Sequence, residues 1–179
     1  NNVIGMPTET VYGLAGNAYS DKSVKKIFNL KKRPLINPII IHYKNINDLK
    51  NDVVLNSNFI KLYKTFCPGP ITFILKKKAK SKISKIATAG KETVAVRIPK
   101  HRIARKLLKI LKIPIAAPSA NISSKLSPTC ATDVVDEFKN KIKFVIDGGQ
   151  CQIGLESTII DLTGKPTILR PGSITAEQI

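Results

Sequence analysis

The chain predicts one α/β or α+β domain over residues 1–179, built around a twisted sheet. Three observations lead there. Short apolar or alternating runs of strand length are interleaved with amphipathic segments of helix length. With 42% apolar and 23% charged residues over 179 positions, the chain can bury one sizeable core. No internal repeat and no low-complexity linker divides it.

Val3-Ile4-Gly5-Met6 reads as a buried strand. The chain opens without Met, on Asn1-Asn2, so residues are expected upstream. Pro7-Thr8-Glu9-Thr10-Val11-Tyr12-Gly13-Leu14 follows as a loop packed with hydroxyls and a carboxylate, at the strand end where open α/β sheets bind ligands. Ser20 predicts the cap of a helix from Asp21 to Lys31, with Val24, Ile27, Phe28 and Leu30 on its apolar face. Lys31-Lys32-Arg33-Pro34-Leu35-Ile36-Asn37-Pro38 comes next, with Lys31 and Arg33 two apart and two prolines stiffening the exit. Taken alone, this stretch reads as readily as a solvated basic turn as a site for an anion. Ile39–Tyr43 reads as a doubly buried strand with His42 near its end.

A short helix over Ile46–Lys50 and a second one capped by Ser57 lead to Cys67-Pro68-Gly69-Pro70, which stops it. Ile71–Leu75 is a strand, and Lys76–Lys85 an exposed basic loop. Thr93–Pro99 alternates as a strand that sets Thr93, Ala95 and Arg97 on one face. His101–Lys112 is an amphipathic helix on Ile103, Leu107, Leu108 and Leu111. Ile113–Ala117 is a short strand running into the hydroxyl-rich Pro118-Ser119-Ala120-Asn121-Ile122-Ser123-Ser124 and Ser127-Pro128-Thr129. Thr132 caps a helix through Asn140. Phe144–Asp147, Ile159–Asp161 and Thr167–Arg170 complete the strands.

The formal charge is +18, from 30 Lys and Arg against 12 acids. That balance suits a polyanionic partner such as RNA. A lysine-biased composition explains much of it equally well. The scarce arginines are more informative, because a planar fork is then spent selectively. Arg102 and Arg105 fall in a helical segment and read as surface. Arg33, Arg97 and Arg170 each adjoin a proline or a strand end and read as ligand contacts.

Cys67, Cys130 and Cys151 are scattered. They form neither a zinc set nor a disulfide framework and read as small buried hydrophobes in a reducing, cytoplasmic setting. No apolar run reaches the roughly 18 residues of a membrane span. The P-loop, GxGxxG, HExxH and GxSxG patterns are all missing from the sequence, so any nucleotide would be held by scattered hydroxyls and cations.

Several segments together resemble one family. They are Pro7-Thr8-Glu9-Thr10-Val11-Tyr12-Gly13-Leu14, Lys31-x-Arg33-Pro34, Asn37-Pro38, Pro68-Gly69-Pro70-Ile71-Thr72, Val96-Arg97-Ile98-Pro99, Pro118-Ser119-Ala120-Asn121-x-Ser123, Ser127-Pro128-Thr129, Gly154-Leu155-Glu156-Ser157-Thr158 and Leu169-Arg170-Pro171-Gly172. In this order and over nearly the whole chain they resemble the threonylcarbamoyl-AMP synthases, the YrdC/TsaC family. The resemblance implies an open mixed sheet flanked by helices, with a basic concave face and some affinity for double-stranded RNA. It also implies a reaction joining L-threonine, bicarbonate or CO2 and ATP into threonylcarbamoyl-AMP and pyrophosphate. Mg2+ is carried with the ATP and no protein metal site is needed. A downstream tRNA transferase uses the product.

By the same resemblance, Lys31, Arg33, Ser119 and Asn121 form the catalytic centre. Asn37, Thr93, Ser127 and Arg170 complete the ATP site. Thr10, Tyr12, His42, Arg97, Ala117 and Ser157 hold threonine. The Gly-Leu-Glu-Ser-Thr segment looks like the longer subclass, which carries a further C-terminal domain. Two rival readings are the carbamoyl-transfer module of hydrogenase maturation and a non-catalytic RNA- or tRNA-binding protein.

Overall fold

The computed structural model describes residues 2–179. Among them, eight strands form one mixed sheet in the order β1-β2-β6-β3-β5-β4-β7-β8. The strands are β1 (Ile4–Met6), β2 (Gly13–Asn17), β3 (Ile41–His42), β4 (Ile71–Lys76), β5 (Thr93–Arg97), β6 (Ile115–Ala116), β7 (Thr158–Asp161) and β8 (Thr167–Arg170). The β3–β5 and β4–β7 pairs are parallel and the remaining neighbours antiparallel. Five α-helices join them: α1 (Asp21–Lys31), α2 (Ile46–Leu49), α3 (Ser57–Phe66), α4 (Arg102–Leu111) and α5 (Ala131–Phe138).

Helix α1 forms with the limits its pattern predicts. Ser20 accepts a hydrogen bond from the Ser23 amide at 3.3 Å, and Lys32 closes the helix in the left-handed region. Val24, Ile27 and Phe28 are buried in the main core. On α3, Phe59 meets Phe73 of β4 edge to face at 5.1 Å. Alternation sends Phe73, Val94 and Val96 into that core and leaves Ile74, Ala95 and Arg97 facing the other way. A smaller cluster of Met6, Ala15, Ala104, Leu108, Ile115 and Ala117 seats α4 on the sheet.

Several elements differ from the sequence expectation for local reasons. Residues 13–17 form β2 although Gly-Leu-Ala-Gly-Asn has little strand propensity. Here close packing decides, since a Cβ on Gly16 would lie 3.2 Å from Ile27 Cδ1 and 3.3 Å from Ser23 Cβ of α1. Asn56, not Ser57, caps α3, taking the Phe59 amide at 2.9 Å. Cys130, not Thr132, is the N-cap of α5, which ends at Phe138 rather than Asn140. The strand expected at 39–43 shortens to Ile41–His42, with its flanks held by Ile39 N–H to Ala87 O and Tyr43 N–H to Arg97 O. Phe144–Asp147 makes only a bridge of Val145 to Gly5. The basic stretch 76–85 is tied down at intervals: Ser81 Oγ donates to the buried Asp52 at 2.7 Å and Ser84 Oγ to Asp21 at 2.6 Å. On α4 the inward residues are Ala104 and Leu108, and Leu111 turns outward. All three cysteines are free and half-buried rather than buried.

Candidate active site

The register of the sheet builds the site. His42 of β3 lies beside Arg97 of β5 on one side and Ile115 of β6 on the other. Ile159 of β7 lies beside Thr72 of β4 and Arg170 of β8. Since side chains alternate, Ile40, His42, Ile74, Ala95, Arg97 and Ile159 share one face. These residues line a cavity of about 210 Å³ whose rim includes Thr10, Tyr12, Arg33, Ala117, Ser119, Glu156, Ser157 and Arg170. The cavity therefore rests on a face of the sheet, not in a crevice beyond the strand ends as expected. The crevice rule presumes a parallel sheet wound on both sides, and this sheet is mixed.

Around Arg97 the polar groups are tightly bound. Its Nη2 donates to Glu9 Oε1 at 2.7 Å, Nη1 to Thr10 Oγ1 at 2.9 Å and Nε to Gly69 O at 3.3 Å. Glu9 Oε2 takes the His101 amide at 3.2 Å. Both charges are buried. Burial pushes the Glu9 carboxyl up, but the Arg97 guanidinium and the backbone amides outweigh it and hold it below its ordinary value. His42 is buried with Nδ1 unpartnered, and burial, aided by Arg97, lowers its pKa to about 3. It is neutral at physiological pH. The Tyr12 hydroxyl donates to Gly149 O at 2.8 Å and accepts from the Gly148 amide at 3.0 Å, so its ring is fixed as a wall.

A folded-state His42 that protonates far below an unfolded one binds fewer protons than the unfolded chain between about pH 6.5 and 3. Stability therefore falls as pH drops through that window, at up to about 1.4 kcal/mol per pH unit. Chemical denaturation between pH 7 and 5 is expected to show this slope, and His42→Asn to flatten it. His101, whose pKa is also lowered by burial, contributes in the same direction.

A second group gathers around Glu156. Arg170 pairs with Glu156 through Nη1 and donates from Nε and Nη2 to Ser157 O at 3.1 and 2.8 Å. Ser127 Oγ donates to Glu156 Oε1 at 2.9 Å. Ser157 Oγ hydrogen-bonds Thr72 Oγ1 of β4 at 2.8 Å and accepts from Arg170 Nη2 at 3.2 Å. Arg33 curls over its own loop, donating from Nε to Asn37 O at 3.0 Å and from Nη2 to Pro38 O at 2.8 Å. Burial lowers the pKa of both Arg33 and Arg170 from the ordinary arginine value, so each is a desolvated cation with strong reach toward an anion.

Of the expected site residues, Thr10, Tyr12, Arg33, His42, Arg97, Ala117, Ser119, Ser157 and Arg170 line the cavity. Lys31, Asn37, Thr93, Asn121 and Ser127 do not. Lys31 is buried, and its ammonium donates to Ser119 O at 2.6 Å, Asn121 O at 2.5 Å and Asn121 Oδ1 at 3.2 Å. Burial brings its pKa down to about 8. It holds the Ser119–Asn121 loop against α1. Asn121 and Ser127 line an adjoining open groove, and Asn37 is exposed on the Arg33 loop. Thr93 is half-buried at the start of β5, on the face of Ala95 and Arg97 but beyond the cavity.

Sequence reasoning noted the Glu9 carboxylate in its loop but gave neither Glu9 nor Glu156 a site role. A signal was present: acids are scarce at 12 of 179 residues, and these two fall inside hydroxyl-rich segments. Among the described residues no three His, Cys, Asp or Glu side chains converge to hold a metal, and no helix is long and apolar enough to cross a membrane.

Residues 1–172 match the family model Sua5_yciO_yrdC, described as "Telomere recombination". The chain is 46% identical over 181 residues to the threonylcarbamoyl-AMP synthase of Pyrococcus abyssi, covering 99% of this chain and 52% of that protein. It thus spans about half the length of that relative. A putative threonylcarbamoyl-AMP synthase of Methanocaldococcus jannaschii is 35% identical over 173 residues, covering 96% of this chain and 80% of the relative. The crystal structure of P. abyssi Sua5 complexed with L-threonine superposes with a TM-score of 0.95 at 46% identity, over 99% of this chain and 52% of that one. With the family model matched over residues 1–172 and a 35% identical relative covered over 80% of its length, the chain belongs to the Sua5/YciO/YrdC family.

Proposed function

We propose that this domain is a transferase that makes threonylcarbamoyl-AMP from L-threonine, bicarbonate or CO2, and ATP, in the cytosol, for modification of a tRNA adenosine. One observation carries the reading. A neutral His42 and the fork of Arg97 share one cavity with the desolvated cations Arg33 and Arg170. Thr10, His42, Arg97 and Ser157 would take the amino acid, with the Ala117 backbone and the Tyr12 ring as walls. Arg33, Arg170 and Ser119 would take phosphate, Asn121 and Ser127 would extend the nucleotide site along the adjoining groove, and Asn37 on the Arg33 loop and Thr93 at the start of β5 would meet the nucleotide outside the cavity. The L-threonine complex of the P. abyssi relative supports the amino-acid end.

The chemistry needs no protein nucleophile. The neutral threonine amine adds to the carbon of CO2 and loses a proton, or adds to bicarbonate, from which a C–O bond breaks and water leaves, to give a carbamate. A carbamate oxygen then attacks the α-phosphorus, and pyrophosphate leaves with the bridging oxygen's electron pair. The protein's part is to hold three small reactants in line and to offset charge on the phosphates. Mg2+, when bound, neutralises triphosphate charge. The metal would be held mainly by the nucleotide's own oxygens. A downstream transferase would take the threonylcarbamoyl group to tRNA.

The test is an omission assay. Pyrophosphate release is expected only when ATP, Mg2+, threonine and bicarbonate are all present. Equal release without threonine sinks the assignment. Salt-sensitive RNA binding with no pyrophosphate formation would favour a binding protein instead.

A further inference from the structure

Glu156 is an odd residue to find at the anion end of this cavity. It is a carboxylate facing the groups that a triphosphate would need. Arg170 Nη1 pairs with its Oε2, and Ser127 Oγ donates to its Oε1 at 2.9 Å. Lys31 and Arg33 are within electrostatic reach. Of these groups, Arg33 and Arg170 are assigned above to phosphate and Ser127 to the adjoining nucleotide groove. The carboxylate thus takes the place among them that a phosphate oxygen would take. Burial alone would raise its pKa, yet Arg170 and the Ser127 hydroxyl hold it below the ordinary glutamate value, so it is ionised at neutral pH.

Its side chain is about one-third exposed, as is that of Arg170. The pair is therefore neither locked in the core nor screened to insignificance. A long, partly exposed glutamate can rotate away without opening a cavity. Trading one carboxylate for a polyphosphate leaves Arg170 and Ser127 satisfied in both states. Glu9, by contrast, is buried behind Arg97 and has no such freedom.

We propose that Glu156 is a built-in competitor for the phosphate site: its carboxylate shares the donors of Arg170 and Ser127 with the nucleotide and so weakens the hold on pyrophosphate. This inference rests on the nucleotide reading of the cavity. Its consequence is kinetic. Product pyrophosphate is a compact polyanion. A site of bare cations would retain it, and a tethered carboxylate returning to the same donors pushes it out. Glu156 is thus a residue that sets product affinity, and it contributes no atom to the reaction.

Inorganic pyrophosphate is the probe, titrated calorimetrically against wild type, Glu156→Gln, Glu156→Ala, Arg170→Met and the Glu156→Gln/Arg170→Met pair. Wild type is expected to bind it. Both Glu156 variants are expected to bind about 3- to 10-fold tighter. That gain should shrink once Arg170 is gone, because the shared donor is then missing. In turnover, Glu156→Gln should lower both kcat and the KM for ATP, with pyrophosphate a stronger product inhibitor. A purely structural role for Glu156 predicts weaker binding in every variant and overturns the inference. So does a loss of affinity confined to Mg2+-containing buffer, which would make Glu156 a metal ligand. If wild type fails to bind pyrophosphate, the nucleotide reading falls and this inference with it.

Discussion

Replacing Lys31 by methionine is expected to cost about 2–4 kcal/mol of stability and to abolish turnover. Methionine keeps most of the buried stem, so packing against α1 changes little. What goes is an ammonium that satisfies Ser119 O, Asn121 O and Asn121 Oδ1 together. Each buried oxygen left without a donor costs roughly 1–3 kcal/mol, and part is returned because a desolvated charge is also removed. For a domain of this size that corresponds to a fall in Tm of roughly 5–15 °C. Thermal melting measures the stability, and the pyrophosphate assay the activity. The released loop carries Ser119, which lines the cavity, and Asn121, which lines the adjoining groove, so activity falls through lost positioning. A Lys31→Met protein that melts like wild type yet is inactive would instead place the ammonium on a substrate phosphate.

The orientations of Lys31 and Arg33 show where a linear reading stops. Spacing puts both at the mouth of one loop. It does not say that the residue at the end of α1 points inward while the one two positions on points toward the cavity. That choice depends on the loop 88 residues away whose carbonyls receive the ammonium. Local signals served well where the physics is local. The Ser20 cap and apolar face delimit α1, and alternation in Thr93–Arg97 correctly aligns Ala95 and Arg97. They failed at β2, where Gly13 and Gly16 are chosen for close approach rather than strand propensity.

The cavity floor was the least legible feature. Ile40, Ile74, Ala95 and Ile159 read as ordinary core residues in sequence, each within a run that also feeds the true core. Only the register between β3, β5, β4 and β7 shows which of the alternating residues face the cavity. The same register turns three scattered polar segments into one site. Thr10 arrives from the loop before β2, Arg97 from the end of β5 and Ser157 from just before β7. The hydroxyl-rich strand ends were a sound guide to the rim of the cavity and a poor guide to its depth.

Breaking the Glu9–Arg97 pair is expected to have the other large effect. Both groups are buried, and Arg97 spends one donor each on Glu9, Thr10 and Gly69. A guanidinium has five N–H donors, so two remain for a ligand carboxylate once the fork is clamped. In Glu9→Gln the amide cannot accept from both Arg97 Nη2 and the His101 amide as the two carboxylate oxygens do, and the guanidinium is left buried without a counter-charge. Removing one partner of a buried pair costs about 3–5 kcal/mol. The cost should be pH-dependent with a defined sign. Because the folded Glu9 titrates below its ordinary value near 4.5, its contribution is complete above that pH and is lost as the pH falls through the folded value. Wild type and Glu9→Gln should therefore differ most above pH 5 and converge in acid, as followed by denaturant unfolding. The kinetic signature separates positioning from general damage: the KM for threonine should rise by one to two orders of magnitude, since 1.4 kcal/mol is tenfold, while the KM for ATP stays near wild type. Glu9→Gln/Arg97→Met, which removes both charges, should recover much of the stability but none of the threonine affinity. Equal shifts in both KM values would mean that the pair supports the fold and does not aim Arg97.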